Sequence, residues 1–169
     1  MQTESIFIKT PAIPFEAFSD TTKIWMYQTG HNLAPYKAII AEYLDPFIAA
    51  WASHGLPVRG AWALYADNIL LIAAEETAFD VSGCSTDGLV KTMRTVGDRI
   101  GQDFFNRTSF CIANAQGTHF LTKAQVRQLS ESETATCLYV DISKDSLKDI
   151  RTGWPVALSK SWLFAKTAT

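Results

Sequence analysis

Between Val58 and Ala74 the chain carries two β-type runs separated by three turn residues, and this pair constrains the fold more than any other feature. Val58 to Tyr65 alternates, with Val58, Gly60, Trp62 and Leu64 on one face, as a half-buried strand must. Ile69 to Ala74 is more continuously apolar. Ala66–Asp67–Asn68 supplies the turn and Glu75–Glu76 closes the second run, so the two strands form a hairpin and bring an antiparallel sheet with them.

The flanking segments extend that pattern. Ile24–Gln28 is a compact β-rich run, broken by Thr29–Gly30–His31–Asn32. Pro35 to Trp51 repeats its apolar residues at three and four and predicts a helix with one broad apolar face. Inside it, Asp45–Pro46 also reads as an N-cap followed by a first helical residue, which predicts a kink or a restart. Gly55 is a natural stop, and places His54 in the last turn. Thr86 to Ile100 is a second amphipathic helix, with Ser85 or Thr86 as cap, and Thr108 to Ala113 is a further strand. The order strand, helix, strand, strand, helix, strand is that of the ferredoxin-like βαββαβ unit, so the expected class is α+β with a ferredoxin-like core.

Further elements should extend or cover the sheet. They are a returning strand at Thr118–Leu121, a helix opened by the capping box Thr122…Gln125 and running to about Leu129, and a polar loop over Ser130–Thr136. A strand at Cys137–Ile142 and a short helix within Ser143–Ile150 follow. The tail Trp154–Phe164, rich in large apolar residues, must dock. Residues 1–21 read as an N-terminal extension that packs on a single domain spanning 22–169.

Composition narrows the function classes. A chain of 169 residues, 47% hydrophobic, can bury roughly 70% of its unfolded surface and needs no disulfide or metal staple. A net charge of −2 argues against a general nucleic-acid binder and against an anionic-membrane binder. With no apolar run long enough to span a bilayer and no export signal, the expected setting is a reducing cytoplasm. The three cysteines are odd in number and scattered, and Cys111 and Cys137 sit at strand positions where a free thiol packs as a small hydrophobe. The histidines His31, His54 and His119 lack metal-ligand spacing, so neither a metal nor a cofactor is expected.

One stretch carries chemical interest. Ser82–Gly83–Cys84–Ser85–Thr86–Asp87–Gly88 leads small polar residues into an amphipathic helix. Free N–H groups at a helix start attract anions and lower the pKa of a nearby thiol. Ser82, Gly83, Ser85, Thr86 and Asp87 are therefore candidate ligand contacts. Cys84 is a candidate nucleophile, with His54 as its base if the two helices run antiparallel. The bland alternative is a capped helix with a buried cysteine. Gly83–x4–Gly88 followed by Lys91 is not a phosphate loop, because the lysine comes three residues after the second glycine rather than next to it. The acidic set Asp67, Glu75, Glu76, Asp80 and Asp87 reads as solvated surface, or as paired carboxylates for acid–base work or cation binding.

Through Ile24–Gln28, Trp51…His54–Gly55, Ser82–Asp87 and Trp154–Pro155…Ser161–Trp162, the chain resembles a family of small bacterial proteins often labelled "ABC transporter ATPase". The resemblance covers roughly Thr22 to Phe164 and implies a bacterial, cytoplasmic setting. It brings no catalytic residues to carry over, and this sequence lacks the phosphate loop that the label demands. Three functions follow as expectations. One is a non-catalytic binding or interaction domain, as a homodimer or with a partner, using an exposed sheet edge or tryptophan patch. The second is a small-molecule or anion binder through residues 82–88. The third is a thiol-dependent enzyme using Cys84 and His54.

Overall fold

The continuous apolar run at Ile69–Glu75 is the middle strand of a sheet and is covered on both faces. The computed structural model describes residues 10–75 and 83–165, with side chains from 85 onward in the second stretch. Its first elements are β1 (Lys23–Gln28), α1 (Lys37–Ala49), a two-residue hairpin of β2 (Ala52–Ser53) and β3 (Leu56–Pro57), β4 (Arg59–Tyr65) and β5 (Ile69–Glu75). Strands β1, β5 and β4 form an antiparallel sheet in that order. Leu70, Ile72 and Ala74 point to one face and Ile69, Leu71 and Ala73 to the other. Each large aliphatic side chain fully buried this way stabilises the fold by about 2 kcal/mol.

Helix α1 and the long α2 (Gly83–Ile100) cover the first face, through Ile40, Leu44, Leu89, Met93 and Val96. Gly88 lets them approach: a Cβ there would lie 3.3 Å from the Phe47 ring. The other face packs on a second sheet, ordered β7-β6-β8-β9, from β6 (Ser109–Asn114), β7 (Gly117–Thr122), β8 (Leu138–Tyr139) and β9 (Val156–Ala157). Strand β6 is apolar on both sides, with Cys111 and Ala113 facing the first sheet and Ile112 facing outward. Short helices α3 (Lys123–Gln128), α4 (Glu131–Ala135) and α5 (Leu147–Arg151) complete the chain. Val126 of α3, with Leu158 and Leu163 of the tail, covers the outer side of the second sheet. Leu147 and Ile150 of α5 pack between the sheets.

The α+β class is therefore as expected, while several details differ. The two helices and the strand order β1-β5-β4 match three strands of a ferredoxin-like unit, but the fourth strand, β6, joins the second sheet rather than pairing with β1. Its two apolar faces explain this, since such a strand must lie between two covered layers. Helix α1 passes through Pro46 without a restart, and Asp45 accepts a bond from Trp62 Nε1 at 2.7 Å instead of capping a new helix. Helix α1 stops at Ala49, so His54 lies in a turn and not in a helical last turn. His54 and Gly55 have φ of 51° and 77°, the left-handed pair that a tight hairpin turn requires. Helix α2 starts at Gly83, three residues before the expected Thr86. The polar stretch after Ser130 forms α4, opened by a Ser130–Glu133 capping box.

Ahead of β1, Ile13, Phe15 and Phe18 pack against the inter-sheet core. Arg151 ties this segment down, through a 2.7 Å ion pair to Asp20 and bonds to the carbonyls of Phe15 and Phe18 at 3.0 and 2.9 Å. Residues 1–9 lie outside the described residues. In the tail, Trp154 is buried, packed at a tilt against Tyr65 and bonded to the Asp141 carbonyl, while Trp162 is 53% exposed beside Phe110 and Tyr139.

A candidate binding groove beside the first strand

Helix α2 opens with Gly83 and Cys84, so from Gly83 onward the expected ligand loop is already helix. Ser82 and the side chain of Cys84 lie outside the described residues, and so does any pairing of Cys84 with His54. Ser85 is buried, and its hydroxyl donates to the Ala52 carbonyl at 2.5 Å. That bond anchors the first turn of α2 on β2 and brings the helix start beside the hairpin that carries His54. Asp87 is exposed. Within the acidic set, Glu75 holds Arg59 at 2.7 Å, and the Ser19 amide and Arg59 both keep its carboxyl below the usual range. Asp67 occupies a turn, and Glu76 and Asp80 lie outside the described residues. Among the described residues, no three His, Cys, Asp or Glu side chains converge in a way that could hold a metal ion. No described helix is long and apolar enough to cross a membrane.

Thr86 points the way to a site that the motif did not reveal. It lines a groove of about 500 Å3 along the outer edge of β1. Helix α2, through Thr86 and Val90, forms one wall with Phe105, and the segment Ile142–Asp145 forms the other. The groove exists because β6 left this sheet, so β1 remains an edge strand.

The ladder shows which main-chain groups face it. Ile24 donates outward to the Asp145 carbonyl at 2.8 Å and Thr22 accepts outward from Leu147 at 2.8 Å. In an antiparallel ladder alternate residues point to opposite edges, so Trp25 and Tyr27 bond to β5 while Met26 presents its N–H and C=O to the groove. No described main-chain group bonds Met26 on that side. Beyond it, the Gln28 side chain donates to the Ser109 carbonyl at 2.8 Å, and this closes the far end.

The groove's charge is asymmetric. Among the described residues, Arg107 and Lys144 line it against one carboxylate, Asp145, and Lys23, which also lines it, is already engaged. Burial raises the Tyr27 phenol, and the positive charge of Arg107 works against that rise. Cys111 and Cys137 are free, buried thiols and do not line the groove. Burial pushes Cys111 up to about 12, so it is no nucleophile at neutral pH.

No family model matches this chain, and neither a curated protein nor a solved structure does. The bacterial family resemblance therefore rests on its quoted residues alone.

Nothing in the sequence pointed to the groove directly. Its walls come from residues 23–27, 86–90, 105–107 and 142–145, which no local motif links. The one available signal was the double-sided apolar pattern of residues 110–113.

Proposed function

We propose that this protein is a non-catalytic binding domain that takes an extended, acidic peptide segment along β1 by strand addition. The observation that carries this reading is the outward edge at Met26, which no described main-chain group pairs, set in a groove between a helix and a loop. Main-chain hydrogen bonds along such an edge supply affinity, and the flanking side chains select the guest. Among the described lining residues, the excess of Arg107 and Lys144 over Asp145 favours a guest bearing carboxylates. The setting we infer is a reducing cytoplasm, in keeping with the free thiols.

Selection from a displayed nonapeptide library tests this. The expected winners are acidic and alternate in polarity, and they shift the amides of Ile24 to Gln28. Arg107→Glu with Lys144→Glu should weaken them at least tenfold. Selected peptides that map elsewhere would overturn the reading. So would a homodimer formed through β1 with no peptide selected.

A second reading keeps thiol chemistry, favoured by the Ser85–Ala52 bond that sets the start of α2 beside the His54 hairpin. A ligand role for residues 82–88 as an anion cradle has less support, because the Ser85 hydroxyl is already engaged and Asp87 adds a negative charge.

A further inference from the structure

We propose that a recess on the outer face of the second sheet, walled by Phe110, Tyr139 and Trp162, takes the trimethylammonium end of a small zwitterion such as a betaine. The recess adjoins the β1 groove and shares Arg107 with it. Its aromatic walls take no part in the peptide reading, so the two stand or fall separately.

The walls follow from strand register. Ile112 lies opposite Tyr139, and the Val140 N–H carries the pairing on by donating to the Cys111 carbonyl at 2.9 Å. Asp141 therefore comes opposite Phe110. Side chains two residues apart on a strand share a face, so Phe110, Tyr139 and Asp141 join Ile112 on the outer side. The tail then folds over that face. Leu158 and Leu163 are buried on it, and the Ser161 hydroxyl donates to the Leu158 carbonyl at 2.7 Å. Trp162, next to Leu163, stays half-exposed as the third wall.

The three rings are nearly perpendicular to one another. Trp162 meets Phe110 at 81° and Tyr139 at 77°, and Phe110 meets Tyr139 at 71°, with centroids 5.7, 6.2 and 6.2 Å apart. Perpendicular rings so spaced can face one common point about 4 Å from each centroid, inside the ~6 Å over which a ring face attracts a cation. Trp162 already draws one, since the Lys123 ammonium stands 5.2 Å from its centroid without lining the recess. The recess measures about 170 Å3, well under the ~300 Å3 at which sites for whole drug-sized ligands begin. It suits a headgroup.

Charge sets the sign of that headgroup. Asp141 lines the recess and is 6% exposed. Ser143 donates to its Oδ1 through N–H at 3.0 Å and Oγ at 2.6 Å, and Trp154 Nε1 holds its main-chain carbonyl, so the carboxylate is fixed in place. It stands beside the Tyr139 phenol. Burial first, then Asp141, push that phenol far up, while Trp162 works against the rise. A carboxylate this buried favours a cation. A bare ammonium is strongly hydrated, whereas methyl groups let the cation shed water and fill an aromatic corner. Arg107 lines the recess too and makes no ion pair with Asp141. Its guanidinium suits the acid end of the same ligand.

The test titrates glycine betaine, choline, tetramethylammonium and dimethylbutanol, the uncharged carbon isostere of choline, into the protein and follows the indole N–H resonances by NMR. Glycine betaine should shift the Trp162 signal, which is assigned by its loss in Trp162→Leu. That variant should bind at least tenfold more weakly with little change in melting temperature. Asp141→Asn keeps an acceptor for Ser143 and gives a second variant with the same expected loss should the first misfold. Arg107→Gln should weaken glycine betaine severalfold and leave tetramethylammonium unchanged or tighter. Equal binding of choline and its isostere would reduce the recess to an apolar patch and overturn the inference. So would an unmoved Trp162 signal with every ammonium compound, or tighter binding of a trimethyllysine peptide or of phosphatidylcholine vesicles than of glycine betaine.

Discussion

The Ser85 hydroxyl donates to the Ala52 carbonyl, which holds the first turn of α2 against the strand leading into the His54 turn. This contact sets where Cys84 enters the helix. It also makes thiol reactivity a sharp test, because the other two cysteines are buried.

In folded protein at pH 8, iodoacetamide should leave Cys111 unmodified, since burial keeps it a thiol, and denaturant should expose it. Peptide mass mapping across a pH series then isolates Cys84. An apparent pKa well below the free value of about 8.5, raised again in His54→Ala, is the outcome expected of the second functional reading. A value at or above it leaves that reading without support.

Amide exchange should alternate along β1. Trp25 and Tyr27 bond across to β5 and should exchange slowly, whereas Met26 faces the groove and should exchange faster despite its burial. Protection of Met26 equal to that of its neighbours would mean that this edge is covered, and the peptide reading would fail. A bound peptide should slow Met26 selectively.

Gly97 is held to its identity by a neighbour rather than by its own backbone. A Cβ there would lie 2.5 Å from the Gln102 carbonyl oxygen, just after α2 ends. Alanine gains about 1 kcal/mol of helix propensity, but pushing main chain aside costs about 1–3 kcal/mol. Gly97→Ala should therefore destabilise by up to about 2 kcal/mol in urea unfolding. A stabilised variant would show that the 101–103 turn yields freely.

Alkaline pH should unfold the protein earlier than its charge alone suggests. Cys111 and Tyr65 are both raised to about 12, so the unfolded chain loses these protons first. The unfolded state then binds fewer protons, and stability falls as pH rises from about 9 towards 12. Cys111→Val should flatten the first part of that decline, and Tyr65→Phe the later part. An unchanged profile in both variants would show that neither group contributes.

What the sequence disclosed follows a physical division. The β4–β5 hairpin and the Thr122–Gln125 capping box depend on neighbours a few residues apart, and both form as read. Helix α4 carries the same kind of signal at Ser130 and Glu133, yet its five residues bury only Thr134, so hydrophobic periodicity could not find it. The choice of β6 between two sheets is a tertiary matter that strand propensity does not encode. The groove was hidden for the same reason. Thr86, like Ser85, reads as a cap in the sequence, but it sits inside the helix, on the wall of the groove.

A bare strand rim ordinarily invites copies of a protein to stack into growing fibrils. Here the rim is bracketed, by the Ser146 bridge at Lys23 and by the Gln28–Ser109 bond. Only a stretch a few residues long lies open between those stops, too short a template for copies of the molecule to stack on one another.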